Sequence, residues 1–191
     1  MFEKSITKEA LNDLPLIKFE GKIVLVETSE AVDSAITYCE RFNQIGFDTE
    51  TKPAFKKGVF NSVALLQLST PGTAYLIRLN KVGLHPALIR LFENDAIEKI
   101  GIGLRDDIVD LKKLGPFDAQ NFVDLNELGE QTGMESIGAR KLSGIFLGGR
   151  ISKSQQVSNW ENEPLTPPQM SYAATDAWIC LGIYEGLKKM A

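Results

Sequence analysis

The stretch QIGFDTET, residues 44–51, decides how the chain is read. Ile45 and Phe47 are what a buried strand requires, yet Asp48 and Glu50 stand in the same run. Strand side chains alternate between faces, so the two acids point to one side and lie close together. Unpaired, they repel each other, and burying them adds a desolvation cost. Either this end of the strand opens into solvent, or positive charge arrives from elsewhere.

Outward from that strand, periodicity lays out the rest of the chain. KIVLVET (22–28) reads as a strand, and SEAVDSAITYCERF (29–42) as a helix with Ser29 as its N-cap. TKPAFKKG (51–58) is a loop broken by Pro53 and Gly58. VALLQLST (63–70) and AYLIRL (74–79) are strands joined as a hairpin through the turn around Pro71 and Gly72. HPALIRLFEN (85–94) is helical, EKIGIGL (98–104) extended, and DDIVDLKKLG (106–115) helical up to the stop at Gly115 and Pro116. NFVDL (121–125) is short and extended. Helical patterns follow at 125–133 and 136–148, and a long helix from about 166 to 189. The order predicts an α/β domain: a mixed sheet of about five or six strands covered by helices, with a mostly helical C-terminal half. Residues 1–20 are expected to form an irregular lead-in arm, and 21–191 a single domain.

Two further segments place acids in apolar frameworks. In EKIGIGLRDDIVDL (98–111), Asp106 and Asp107 open a helix, where either acid favours the positive helix end. Gly101 and Gly103 invite a dinucleotide reading, but the third glycine of that fingerprint falls on Asp106, so no dinucleotide cofactor is expected. In LTPPQMSYAATDAWICLGIYEGL (165–187), Thr166 can cap and Pro167 suits the first turn. Tyr172 and Asp176 are four apart, on the stripe that continues through Ile179, Cys180, Ile183 and Leu187. That stripe should pack on the sheet, so Asp176 is anomalous there unless it reaches water at the edge.

Three or four carboxylates gathered in one cleft form the oxygen-rich set that Mg²⁺ or Mn²⁺ prefers. Two such ions, about 3.5 to 4 Å apart, can hold both the attacking and the leaving oxygens of a phosphodiester displacement. Tyr172, one turn before Asp176, could then orient the attacking water. With a reference pKa of about 10, a phenol suits an orienting role better than that of the base.

FDTET, GIGLRDD and YAATDA resemble the three exonuclease motifs of the DEDD superfamily, in the branch with tyrosine in motif three. The likeness runs from about Gly21 to Leu187 and is nearest to the ribonuclease D and Werner-syndrome-type exonuclease domains, above all in SNWENEPLTPPQMSYAATDAW (158–178). The resemblance implies a ribonuclease H-like fold and metal-dependent removal of nucleotides, as nucleoside monophosphates, from the 3′ ends of DNA or RNA. It implies Asp48, Glu50, Asp107 and Asp176 as ligands of two divalent ions and Tyr172 as the water-orienting residue. The histidine variant of the superfamily would need His where Ser171 stands, and His85 is expected at a helix start instead. Thr49, Thr51, Lys52, Leu104 and Lys153 are expected to touch the substrate. Lys56, Lys57, Arg140, Lys141 and Arg150 would add cations along the cleft, and Phe55 or Phe60 would stack on a terminal base.

Net charge is −4, adverse for a protein that grips duplex backbone by charge alone, less so if several acids share a cation-filled cleft. The alternative reading is a non-catalytic nucleic-acid-binding or adaptor module that keeps the fold. Cys39 and Cys180 read as buried free thiols. No apolar run is long enough for a membrane span and the N-terminus lacks a signal-peptide pattern, so the cytoplasm is the expected compartment.

Overall fold

A computed structural model of the protein describes residues 2–54, 58 and 60–190. Six strands form one sheet: β1 (Lys22–Val26), β2 (Gln44–Thr51), β3 (Val63–Ser69), β4 (Thr73–Arg78), β5 (Glu98–Gly101) and β6 (Phe122–Asp124). They lie in the order β1-β4-β3-β2-β5-β6. The β2–β3 and β3–β4 pairs are antiparallel, while β1–β4, β2–β5 and β5–β6 are parallel. This is the mixed α/β sheet expected from the sequence, with β2 second to neither edge but flanked on both sides.

Helices α1 (Lys8–Asp13), α2 (Ser29–Cys39), α3 (Leu79–Val82), α4 (Pro86–Phe92), α5 (Leu104–Lys112), α6 (Leu125–Gln131), α7 (Ala139–Leu147) and α8 (Pro167–Lys188) cover it. Thr28, not Ser29, caps α2, because its hydroxyl accepts from the Ala31 N–H. His85 caps α4 through Nδ1, so the sole histidine serves a helix start. On one sheet face Val32, Ile36, Phe47, Leu66, Leu88 and Phe92 form a core beneath α2 and α4. The other face receives α8, whose Ala173, Ala174 and Ala177 are fully buried. These small residues let the helix axis come close to the strands.

The stretch read as an irregular arm contains α1 and is tied to the body. Leu11 is buried, and Ile6, Leu11 and Leu14 close over Gly144 of α7. Ile17 N donates to Arg150 O at 3.0 Å, Arg150 N to Pro15 O at 2.9 Å, and Arg150 Nε to Leu14 O at 3.0 Å. Arg150, expected along the cleft, is thus committed to anchoring this segment. Phe19 N donates to Thr175 Oγ1 of α8 at 3.0 Å. Six residues give too short a periodic pattern for α1 to stand out in the sequence, and burial against α7 stabilises it. Among the described residues, no helix is long and apolar enough to cross a membrane, and both cysteines are buried free thiols.

Candidate active site

The acids converge because β2 and α8 meet at Gly46. A Cβ atom there would collide with the Ala177 carbonyl, lying 2.9 Å from its carbon, so only glycine allows the helix backbone onto the strand. Asp48 lies two residues along β2 from this crossing, and Asp176 is the helix residue preceding Ala177. At the end of β2 the register with β3 shifts between Glu50 and Thr51, and such an irregularity re-aims side chains at a sheet's rim.

Asp48, Glu50 and Asp176 each offer a carboxylate oxygen lying within 4.8 Å of the other two. All three are only partly exposed. Desolvation is the largest influence on each and pushes every carboxyl up. For Asp48, Asp176, Glu50 and Asp107 add repulsion; Glu50 reaches about 9 and Asp176 about 7. Asp107 lies outside the mutually close trio but faces it, and burial raises it to about 6 although a hydrogen bond from Thr49 opposes the rise. Asp106 beside it is exposed, so Asp107 is the inward acid of the pair. Among the described residues none of these four carboxyls has a salt-bridge partner. The set gathers four carboxyls with no cationic side chain among the described residues to offset the charge they carry once ionised.

Tyr172 lies one turn before Asp176 on α8. Burial first, then the Asp176 and Glu50 carboxyls, hold its phenol far above the usual range, so it keeps its proton. Its ring packs against Trp160, centroids 5.9 Å apart, and Trp160 is fully buried. Gln169 fixes the loop carrying Trp160: its Nε2 donates to Ser158 Oγ at 2.7 Å and Asn159 O at 3.0 Å while Gln169 closes a capping box with Thr166. Arg78, buried at the end of β4, adds a bond to Asn162 O at 2.9 Å. These supports for Tyr172 escaped sequence reading, although the run of polar residues around one tryptophan was there to notice.

The remaining expected contacts divide. Thr49 turns its hydroxyl to Asp107. Leu104 is only 3% exposed and packs against Gly101, so its side chain offers no surface to a ligand; the strand-to-helix turn buries it as a plug. Thr51 and Lys52 line a depression of about 530 Å³ with Phe60, which is 89% exposed. Lys52 Nζ lies 2.9 Å from Glu161. Phe55, Lys56 and Lys57 fall outside the described residues. On the other side, a cavity of about 510 Å³ is bounded by Tyr172 and Asp176 together with Lys8, Arg140, Lys141 and Lys153. Lys8, from α1, is the cation that sequence reading missed.

The N-terminus of α5, where a dinucleotide phosphate would sit, already holds a carboxylate. Asp124 at the end of β6 accepts from Gly103 N at 3.0 Å and Leu104 N at 2.8 Å.

Comparison with known proteins agrees with this geometry. Mouse "Bifunctional 3'-5' exonuclease/ATP-dependent helicase WRN" is 33% identical over 196 residues, covering 95% of this chain and 14% of its own length. Ribonuclease D of Acidiphilium cryptum is 32% identical over 173 residues, 86% of this chain and 42% of its own. The chain therefore spans less than half of either relative. Among solved structures, the Nibbler EXO domain of Aedes aegypti superposes with a TM-score of 0.79 at 28% identity, over 93% of this chain and 91% of that one. Escherichia coli RNase D shares the fold, with a TM-score of 0.81 at 23% identity over 88% of this chain and 45% of its own. The fold is thus ribonuclease H-like. The model of the 3′–5′ exonuclease family matches residues 23–191, and the chain belongs to the 3′–5′ exonucleases of the DEDD superfamily.

Proposed function

We propose that this chain removes nucleotides from the 3′ end of a nucleic-acid strand by hydrolysing the terminal phosphodiester, releasing nucleoside monophosphates. The observation that carries the reading is the trio Asp48, Glu50 and Asp176, mutually within 4.8 Å, with protonated Tyr172 one helical turn away.

The donor set fits divalent cations. It consists of hard oxygen ligands, and its raised carboxyls are those of a site waiting for positive charge. Asp48, Glu50 and Asp176 would hold one Mg²⁺ or Mn²⁺, and Asp48 with Asp107 a second. Bound there, the ions would supply Lewis acidity and would lower the pKa of a water held between them and Tyr172. Tyr172, keeping its proton, donates a hydrogen bond toward the nucleophile and fixes its line of approach. Trp160, packed against the ring, holds it in place. Thr49 holds Asp107 in one orientation through their hydrogen bond.

Strand phosphates would run along the cavity walled by Lys8, Arg140, Lys141 and Lys153, which gathers cations in a chain whose net charge is −4. Phe60, on the opposite side, offers an exposed ring on which a terminal base could stack.

The test uses 5′-labelled DNA and RNA oligonucleotides, single-stranded or with recessed and overhanging 3′ ends, in Mg²⁺, Mn²⁺ or EDTA. A ladder that shortens from the 3′ end only with metal, and is lost in Asp48→Ala, is the expected result. Hydrolysis that persists in Asp48→Ala would refute the assignment. Folded, metal-bound protein that binds 3′ ends yet cuts none would mark a binding module.

A further inference from the structure

Strand β3 is buried along its whole length, and every residue but one from Val63 to Leu68 is apolar. The exception is Gln67, 0% exposed, with neither its side-chain oxygen nor its nitrogen hydrogen-bonded. The β2–β3 register sets Gln67 directly opposite Asp48, as it sets Leu65 opposite Glu50. Directly opposed residues of an antiparallel pair share a sheet face, with Cβ atoms about 4.5–5.5 Å apart. The same face carries Leu65 and Leu76, which pack in one apolar cluster with Ala173, Ala174 and Trp160, and it carries Glu50 opposite Leu65 and Ser69 two residues along β3. Of the polar side chains there, Asp48 is the one that the register sets directly across from Gln67, while the Ser69 hydroxyl is engaged with Thr70 O.

We propose that Gln67 is a positioning residue for Asp48: its Nε2–H donates to the Asp48 carboxylate in the cation-loaded protein. The inference rests on the reading of Asp48 as a cation ligand. A leucine or methionine would fill the same space without two orphaned dipoles, so the amide costs stability where it stands. A lysine would bring its own positive charge and compete with the cations, and an acid would add repulsion. An uncharged donor satisfies a carboxylate lone pair that is turned away from the metal, and leaves the site's charge unchanged. Partners of this kind behind a ligand commonly change metal affinity by about 10- to 100-fold.

The two roles predict opposite signs. Gln67→Met is compared with wild type by thermal melting in EDTA and by Mn²⁺ titration calorimetry without substrate, with Gln67→Leu as a second variant in case the first fails to fold. The expected result is a metal-free melting temperature equal to or above wild type, with Mn²⁺ binding about tenfold weaker. In the Asp48→Asn background the same substitution leaves residual Mn²⁺ affinity unchanged, since the amide acts through Asp48. Wild-type Mn²⁺ affinity in the folded variant overturns the proposal alone. Wild-type protein that binds no Mn²⁺ overturns the reading of the site itself, and the proposal with it.

Discussion

The backbone carbonyl of Ala177 occupies the space that a side chain on Gly46 would need. Because the obstacle is helix backbone, no rotamer can relieve the clash, and β2 and α8 would have to part. Overpacking of this kind costs about 1–3 kcal/mol. The same displacement would draw Asp176 away from Asp48 and Glu50, and misplacement of about 1 Å can cost 10²-fold in rate. Gly46→Ala is expected to lower the melting temperature in EDTA and to reduce exonuclease rate and Mn²⁺ affinity together. A variant that loses stability but binds Mn²⁺ like wild type would show that the crossing does not set the site.

Thr49→Val tests the bond to Asp107 while nearly preserving shape. Burial raises Asp107 to about 6, and the Thr49 hydroxyl works against that rise. Without it the carboxyl should climb further, by about one unit if the bond to the ionised form is worth about 1.5 kcal/mol. Asp107 must be ionised to hold a cation, so the acid limb of the rate–pH profile is expected to move to higher pH. Activity would fall several-fold at pH 6 and return toward wild type at pH 9. A uniform loss at every pH would assign Thr49 a purely steric role.

Removing metal should reverse the ordinary dependence of stability on pH. Glu50 at about 9, Asp176 at about 7 and Asp107 at about 6 all lie above their ordinary values. The folded protein therefore holds protons that the unfolded chain releases near the usual carboxylate range. Their contribution is intact below about pH 4 and is lost as pH rises through 6 to 9. In EDTA the melting temperature is expected to fall across that window, against the background of other groups measured in the double variant Glu50→Gln/Asp176→Asn. Mg²⁺ or Mn²⁺ should restore most at the alkaline end, where cations no longer compete with protons. An EDTA profile in wild type that matches Glu50→Gln/Asp176→Asn would count against a preformed cation site.

The strands and the motif acids were legible because each broke a local pattern. Asp48 and Glu50 interrupt an apolar strand, and Asp176 interrupts the buried stripe of α8. Gln67 breaks the VALLQLS run in the same way, yet an amide raises no charge alarm. Its meaning depends on the β2–β3 register, which is long-range information. The capping of α5 by Asp124 was hidden for the same reason, the two being joined by sheet pairing between β5 and β6. Asp107 rather than Asp106 came from the resemblance to motif two and not from the residues alone; the structure exposes Asp106 and turns Asp107 inward. Leu104, expected at the substrate, has a buried side chain at the strand-to-helix turn. Lys8 and α1 were beyond reach, since neither carries a signal until the segment docks on α7 and beside α8.

The placement of Lys8 can be measured through salt dependence. It shares a cavity with Arg140, Lys141, Lys153, Tyr172 and Asp176, although it precedes the residues matched by the exonuclease family model. If it meets a strand phosphate, its removal should lessen counterion release. For a single strand each such contact contributes about −0.7 to the slope of log affinity against log salt. Binding of a fluorescent single-stranded oligonucleotide would be followed in the Asp48→Asn background, in EDTA so that no hydrolysis is expected, between low and moderate salt. Lys8→Ala and Lys153→Ala are each expected to flatten the slope by about 0.7 and to weaken binding mainly at low salt. Lys52→Ala is the contrast, because its ammonium already lies 2.9 Å from Glu161, and its slope should hardly change. A slope altered by Lys52→Ala and not by Lys8→Ala would put the strand on the Phe60 side of the cleft instead.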